Sequence, residues 1–253
     1  MNYKQFEDIL FAEWQKRSVA NGDGCELASD GLLYRGRFVY KDGYWSREPG
    51  NENAIWERAK RRVLILAKDL NDEEAWDIRA ETGRNNFSGE NNVVVSAPFY
   101  KNLMRWVYGL LTSDANGHAK KFAEIDRQDV YQLFYDQAPV VRVNCKKQVG
   151  TSSIETSVLK SYMERYKDLL VKQISAYDAN ILLCCGASGA IKDFVAENYL
   201  TDLLKLNNWV YYSPRTHKMV IDSWHPTYTG DTHEKMYSDM MSGVEEAWSR
   251  IKL

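Results

Sequence analysis

The chain has 253 residues, of which 44% are hydrophobic and 27% are charged, so it holds enough apolar material for one sizeable core. Its formal net charge of −2 argues against a generally basic coat for nucleic acids, so any contact with a polyanion must come from local clusters. The longest apolar run, Ile181–Cys185, is far too short to span a bilayer, and we expect a cytoplasmic protein with no membrane partner.

In the first half of the chain, the spacing of the apolar residues predicts helices and strands. Residues 3–17 carry the apolar stripe of an amphipathic helix, and the alternation over 32–45 predicts a small hairpin or irregular lobe. Residues 62–67 are continuously apolar, which is typical of a strand buried on both faces. Residues 77–92 are polar and predict a long functional or mobile loop, and the stripe over 103–111 predicts a helix.

The second half alternates apolar strands with amphipathic helices. Predicted strands cover 139–144, 181–185, 208–212 and 218–222. Predicted helices cover 119–135, 158–170, 191–195 and 236–248, the second of them preceded by the capping-box pattern of residues 152–155. Adjacent Cys184 and Cys185 would point to opposite faces of a strand, and the four cysteines contain no CxxC pair. We therefore expect reduced thiols in packing positions, no metal site and no cofactor.

Solidly apolar strands separated by helices predict an α/β protein, a three-layer α/β/α sandwich around a central, mostly parallel four-stranded sheet. We expect a single domain over residues 1–253, with residues 1–60 as an N-terminal extension packed on it. In such sheets the ligand site lies outside the carboxyl ends of the strands. Asp69, Asn144 and His225 all fall at such ends, on three different strands.

The His225-Pro226 pair fixes the direction of an imidazole at a strand end, because proline locks φ and biases the preceding residue away from helical dihedrals. Each of the three residues also has a plain structural alternative. His225 alone more often bonds a neighbouring backbone group, Asp69 alone is as often a helix cap, and Asn144 alone more often stabilises a turn. Their shared position at three strand ends favours a base-binding site.

These three strand ends resemble the motifs of the uracil-DNA glycosylase superfamily. Residues 67–71, Ala-Lys-Asp-Leu-Asn, resemble the family's GQDPY after a strand, and Val141–Asn144 resembles its strand that ends in asparagine. His225–Gly230 resembles the family's HPSPLS, and Lys101-Asn102 after Pro98 resembles its proline-rich loop and following helix. The resemblance covers roughly residues 60 to 230, and the ordered combination of motifs carries it.

The resemblance implies hydrolysis of the N-glycosidic bond of a flipped uracil or related damaged base in single- or double-stranded DNA, by a protein that we expect to be a monomer. The residues that it implies are Asp69 and His225 for catalysis, Asn144, Phe87 and Asn71 for the base, and Lys146, Lys147, Thr227 and Tyr228 for DNA. Such an enzyme stacks the base on an aromatic ring and reads its edge by hydrogen bonds. Ionised Asp69 would stabilise the sugar cation and orient water, while His225 would donate to the base oxygen that gains charge.

The sequence departs from the family at several of these positions. Leu70 and Asn71 replace a proline and the tyrosine that excludes thymine, so the choice of base stays open. Thr229 stands where the family has an apolar wedge, which leaves Tyr228 to fill the place of a flipped nucleotide.

Two other functions stay open. One is a catalytically silent protein that binds a nucleobase or modified nucleic acid, and the other takes residues 186–189, Gly-Ala-Ser-Gly, as a phosphate-cradling turn. Lys146 and Lys147 are also compatible with a solvated charge pair.

Overall fold

We describe the protein from a computed structural model, which covers residues 1–41, 43–70, 72, 74–80, 85–87, 93–150 and 154–251, with the backbone alone at 85–87 and 93. The strands are β1 (Gly31–Leu32), β2 (Phe38–Lys41), β3 (Tyr44–Arg47), β4 (Val63–Ala67), β5 (Asn85–Phe87), β6 (Val93–Val95), β7 (Val140–Asn144), β8 (Ile181–Cys185), β9 (Leu204–Lys205), β10 (Val210–Ser213) and β11 (Lys218–Ser223). The helices are α1 (Tyr3–Asn21), α2 (Glu52–Arg58), α3 (Pro98–Thr112), α4 (Phe122–Ile125), α5 (Gln128–Tyr135), α6 (Thr156–Arg165), α7 (Lys167–Tyr177), α8 (Ala190–Asn198) and α9 (His233–Trp248).

The central sheet has seven strands in the order β1-β7-β4-β8-β11-β10-β9. Its middle strands β7, β4, β8 and β11 are all parallel, and each lies where an apolar run predicts a strand. The run over 208–212, expected as a strand or as the approach to the last one, forms β10. The expected α/β class with a mostly parallel sheet is therefore confirmed, but the expected four strands are too few. Antiparallel β1 extends one edge, and β10 and β9 extend the other. Because β1 and β9 have only two residues each, neither is long enough to show an apolar period.

Helices cover both faces of this sheet, because its central strands are buried on each side. On one face α3, α5 and α9 pack against side chains such as Ile65 and Val140. On the other face α1, α6, α7 and α8 pack against side chains such as Leu64 and Val141. Successive residues of one strand thus serve opposite cores, as the pleat requires. None of the described helices has the length and apolar content needed to cross a membrane.

The first 60 residues are an integral part of this core. Leu10 and Trp14 of α1 are buried against the sheet, and β1 pairs with the edge of β7. This segment therefore contributes a helix to the core and a strand to the sheet, which is more than the expected extension packed on the domain.

Several element boundaries differ from those that the sequence predicts. The single helix expected over 119–135 is two helices, α4 and α5, separated at Asp126, whose carboxylate receives hydrogen bonds from Arg105. The helix expected over 158–170 continues to Tyr177 but breaks at Tyr166, where ψ is 21°. The expected loop over 77–92 contains a short 3-10 helix at Ile78–Ala80 and strand β5, which pairs with β6 just after this range. Residues 152 and 153 of the expected capping box lie outside the described residues.

The cysteines are free thiols, of which Cys145, Cys184 and Cys185 are buried. The expected packing role is therefore confirmed for these three. It is wrong for Cys25, which is exposed.

A buried ion pair joins the N-terminal segment to the chain after β7. Both Asp30 and Lys147 have fully buried side chains, and the Lys147 Nζ lies 2.8 and 2.7 Å from the two Asp30 carboxylate oxygens. Gln173 of α7 and the main-chain N–H of Asn144 also donate to this carboxylate, at 2.8 and 2.7 Å. Burial lowers the pKa of Lys147, and the Asp30 carboxylate opposes this shift. Four hydrogen bonds thus reach the Asp30 carboxylate, which offset the cost of burying its charge.

Replacing Lys147 by methionine should destabilise the protein by about 3 to 5 kcal/mol, because the buried Asp30 carboxylate would lose its counter-ion. Urea denaturation followed by circular dichroism measures this difference. The matched control is Lys172→Met on α7, whose side chain is 53% exposed and which should change stability by less than about 0.5 kcal/mol. Equal midpoints for the two variants would contradict a structural role for the pair.

Candidate functional site

The candidate site lies at the carboxyl edge of the central parallel strands, where the chain diverges to the two faces of the sheet. The connection after β4 leads to α3 on one face, whereas those after β7 and β8 lead to α6 and α8 on the other. Such a point of divergence leaves a crevice outside the strand ends. Asp69, Asn144 and His225 lie at this edge, as the sequence predicts.

Asp69 follows β4 by two residues and is half-buried. Its carboxylate lies against Gly150, where a Cβ atom would come within 2.5 Å of the Asp69 Oδ2 atom, so a side chain at position 150 would displace the carboxylate. Burial raises the pKa of Asp69, and the positive charges of Lys146 and Lys68 oppose this rise. The site therefore presents a partly desolvated carboxylate with two ammonium groups nearby.

Asn144 is the last residue of β7 and is completely buried. Its backbone pairs in register with Ala67 of β4, and its main-chain N–H is held by Asp30. Among the residues that the structure describes, neither the Oδ1 nor the Nδ2 atom of its side chain has a hydrogen-bond partner. Buried amides are usually satisfied, so an amide with both groups unpaired is a pattern that points to a ligand or functional role.

His225 is held in one orientation and one tautomer by the turn that follows β11. The main-chain N–H of Thr227 donates to its Nδ1 at 3.3 Å, and the Thr227 hydroxyl lies 2.7 Å from the same nitrogen. Because a backbone N–H can only donate, Nδ1 is the acceptor and the ring proton sits on Nε2. Asn102 of α3 fixes the turn by donating to the Pro226 carbonyl at 2.6 Å.

The backbone at Gly186 lies directly against His225. The φ angle of Gly186 is 79°, and a Cβ atom there would lie 3.0 Å from the His225 Cβ. Glycine is therefore needed at this point for both the conformation and the approach. Residues 187–189 also have positive φ angles, so the turn after β8 is an unusual left-handed stretch.

The His225 imidazole is neutral near pH 7. Burial lowers its pKa to about 4, and the positive charges of Lys68 and Arg142 act in the same direction. A neutral ring with its proton on Nε2 is a hydrogen-bond donor that keeps this role well below neutral pH.

Two residues that the sequence analysis missed complete the site. Phe99 at the start of α3 lies against the His225 ring, with 5.6 Å between centroids, and carries the Arg142 guanidinium on its face at 4.6 Å from the centroid. Arg142 is on β7, two residues before Asn144, and therefore on the same face of the strand. A charged residue inside the otherwise apolar run Val140–Val143 is the signal that could have indicated it.

The predicted phosphate contacts of Lys146 and Lys147 need correction. Lys147 is completely buried and paired with Asp30, so its ammonium group does not reach the surface. Lys146 is 8% exposed, and its Nζ donates to the carbonyls of Gln148 and Val149 at 3.0 and 2.8 Å. The physical reason is that the chain after β7 keeps running beside β4 in the interior. There Lys147 meets Asp30 from a distant segment, and Lys146 bonds to carbonyls of its own loop.

Of the other four residues predicted to contact the base or DNA, two are exposed, and the side chains of the other two lie outside the described residues. Thr227 and Tyr228 are exposed on the turn that carries His225, and the Tyr228 ring stacks on Trp224 at 6.2 Å between centroids. Their predicted contact with DNA stays a prediction. Asn71 and the side chain of Phe87 lie outside the described residues.

The fold places a carboxylate and an imidazole at the same edge of the sheet, where the charge of Lys68 acts on the pKa of both. One strand, β8, separates β4 from β11, so Asp69 and His225 follow strands that lie two spacings apart, roughly 10 Å. Asn144 is the last residue of β7, which lies on the other side of β4 from β8. A negative group at one end and a hydrogen-bond donor at the other suit a substrate that develops positive and negative charge on neighbouring parts.

No protein-family model matches the chain, and no curated protein sequence matches it. Conclusions about function therefore depend on the geometry of the site.

His225 should titrate at a pH of about 4 in NMR spectra of the folded protein, against 6.5 for an ordinary histidine. Because the unfolded chain binds this proton below pH 6.5, the free energy of unfolding should fall as the pH drops from 6.5 toward 4. Lys68→Met should raise the pKa of His225, since it removes a positive charge. Titration of the His225 ring near 6.5 would contradict the buried, neutral imidazole.

Proposed function

We propose that the protein is a divergent member of the uracil-DNA glycosylase superfamily, with that family's version of the α/β/α sandwich. It hydrolyses the N-glycosidic bond of a flipped uracil or related damaged base in DNA. The observation that carries this proposal is that a half-buried carboxylate, Asp69, and a neutral Nε2–H donor, His225, lie at the same edge of the sheet. The buried, unpaired amide of Asn144 supports it.

The two charged ends of the transition state match these groups. As the glycosidic bond lengthens, the sugar gains positive charge, which ionised Asp69 stabilises while it orients the attacking water. The base gains negative charge on its oxygen, which accepts a hydrogen bond from the Nε2–H of His225. A donor that is already oriented needs no rearrangement as the charge develops, and the hydrogen bond to Nδ1 from Thr227 supplies that orientation.

The Asn144 amide supplies both a donor and an acceptor, the combination that a uracil-like edge requires. Phe99 contributes a half-buried aromatic ring beside His225. It is the described aromatic side chain nearest to the imidazole, and we assign it the stacking role that the sequence resemblance gives to Phe87.

The second candidate is a silent protein that binds a nucleobase without cleaving the bond. The observation that favours it is the burial of Lys146 and Lys147, which removes two of the expected phosphate contacts beside the site. A protein that holds a base needs fewer such contacts than an enzyme that distorts a duplex.

An excision assay on oligonucleotides tests the proposal. The substrates carry uracil, hypoxanthine or xanthine in single or double strands, and the product is an abasic site cleaved by alkali. Asp69→Asn and His225→Leu should each lower the rate at least about a hundredfold, because each removes a charge or donor used in the transition state. Both variants should stay folded, since the two residues lie in turns outside the core.

The matched controls are Asp72→Asn, an exposed carboxylate three residues after Asp69, and His233→Leu, an exposed imidazole at the start of α9. Both should retain full activity. Retained binding with no abasic product from any substrate would favour the silent protein, and full activity of Asp69→Asn or His225→Leu would remove that residue from the mechanism.

A further inference from the structure

Arg142 is a buried cation in the floor of the site. It lies in the middle of β7 with 5% of its surface exposed, and it shares a face of the strand with Asn144. One terminal nitrogen donates to the Tyr100 hydroxyl at 3.1 Å. Its Nε atom is buried and has no hydrogen-bond partner in the described part of the chain.

The charge of Arg142 has no counter-ion among the residues that the structure describes. The titratable groups around it are Tyr100 of α3, Cys185 at the end of β8 and His225 after β11. Burial raises the pKa of the Cys185 thiol to about 12, so that group stays protonated, and His225 is neutral. The aromatic faces of Phe99 and Tyr100 offset part of the cost of burying the cation, but neither ring carries a negative charge.

The nearest carboxylate of the site does not neutralise Arg142 either. Asp69 is balanced by Lys146 and Lys68, the two cations that oppose the rise of its pKa. The crevice thus has a negative group beside β4 and an excess of positive charge between β7 and the His225 turn. A buried charge without a partner is costly, so a ligand that brings a negative charge close to it gains more than it would in water.

We propose that Arg142 is the countercharge for an anionic nucleobase, so that the site favours bases whose ring N–H ionises readily. This inference rests on the proposed function and adds a residue that determines specificity. The electric field of the Arg142 charge, below Asn144 and His225, stabilises the negative charge of the bound base. The free base produced by excision would then bind as its anion and inhibit the enzyme more strongly as the pH rises.

Equilibrium binding of free bases to the whole chain tests this inference without any catalytic step. The probes are uracil and 5-fluorouracil, which have nearly the same shape, although the ring N–H of 5-fluorouracil is the more acidic. Calorimetric titrations from about pH 6 to about pH 9 should show the affinity for 5-fluorouracil rising as it ionises, with a smaller rise for uracil. In Arg142→Met the rise should disappear, and binding of the anion should weaken about 10- to 100-fold.

Arg142→Lys keeps a positive charge and should retain part of the rise with pH. The matched control is Arg61→Met, because Arg61 is also partly buried on an aromatic ring, that of Trp248, but precedes β4 at the opposite end of the sheet. It should leave base binding unchanged. In Arg142→Met the pKa of His225, followed by NMR, should rise, and in Arg142→Lys, which keeps the charge, it should stay close to that of the unmodified protein.

Equal affinity of the unmodified protein for both bases at every pH would overturn the inference, whether or not Arg142→Met folds. If excision is observed but binding shows no preference for the anion, the proposed function stands and the role of Arg142 falls. If no base binds and no excision occurs, both fall.

Discussion

The Asp30 carboxylate is the interaction on which the arrangement of the site depends. It is fully buried, and it receives hydrogen bonds from the Lys147 ammonium group, the Gln173 amide and the main-chain N–H of Asn144. It therefore connects the N-terminal segment, α7 and the end of β7 at one point. Since such a carboxylate is stable only with all its donors in place, the backbone of Asn144 is fixed relative to distant parts of the chain.

Fixed backbone positions explain how three side chains far apart in sequence share one crevice. The parallel strands bring Asp69, Asn144 and His225 to the same edge, and small residues at Gly150 and Gly186 let the chain approach the carboxylate and the imidazole closely. The charges then differ along this edge of the sheet, with the Asp69 carboxylate after β4 and the Arg142 guanidinium on β7. A polarised site of this kind favours a ligand with opposite charge at its two ends.

The apolar runs predicted the four central strands because a strand buried on both faces needs continuous hydrophobic residues, and the polar residues after those runs predicted the position of the site. Short elements were not predictable in the same way, since β1 and β9 have two residues each and owe their pairing to neighbours. Lys147 was misjudged because its partner, Asp30, is 117 residues away and nothing local indicates the contact. Phe99 and Arg142 were missed for a related reason: each matters through a contact that only the folded chain creates.

The hydrogen bond at Nδ1 of His225 limits what this ring can do with protons. With Nδ1 occupied by Thr227, the imidazole has no free lone pair and cannot shuttle a proton from one nitrogen to the other. It behaves as a fixed dipole aimed from Nε2. Any proton that leaves a water molecule in this crevice must therefore go to a carboxylate or to solvent, and a proton gained at Nδ1 would displace the hydrogen bond from the main-chain N–H of Thr227.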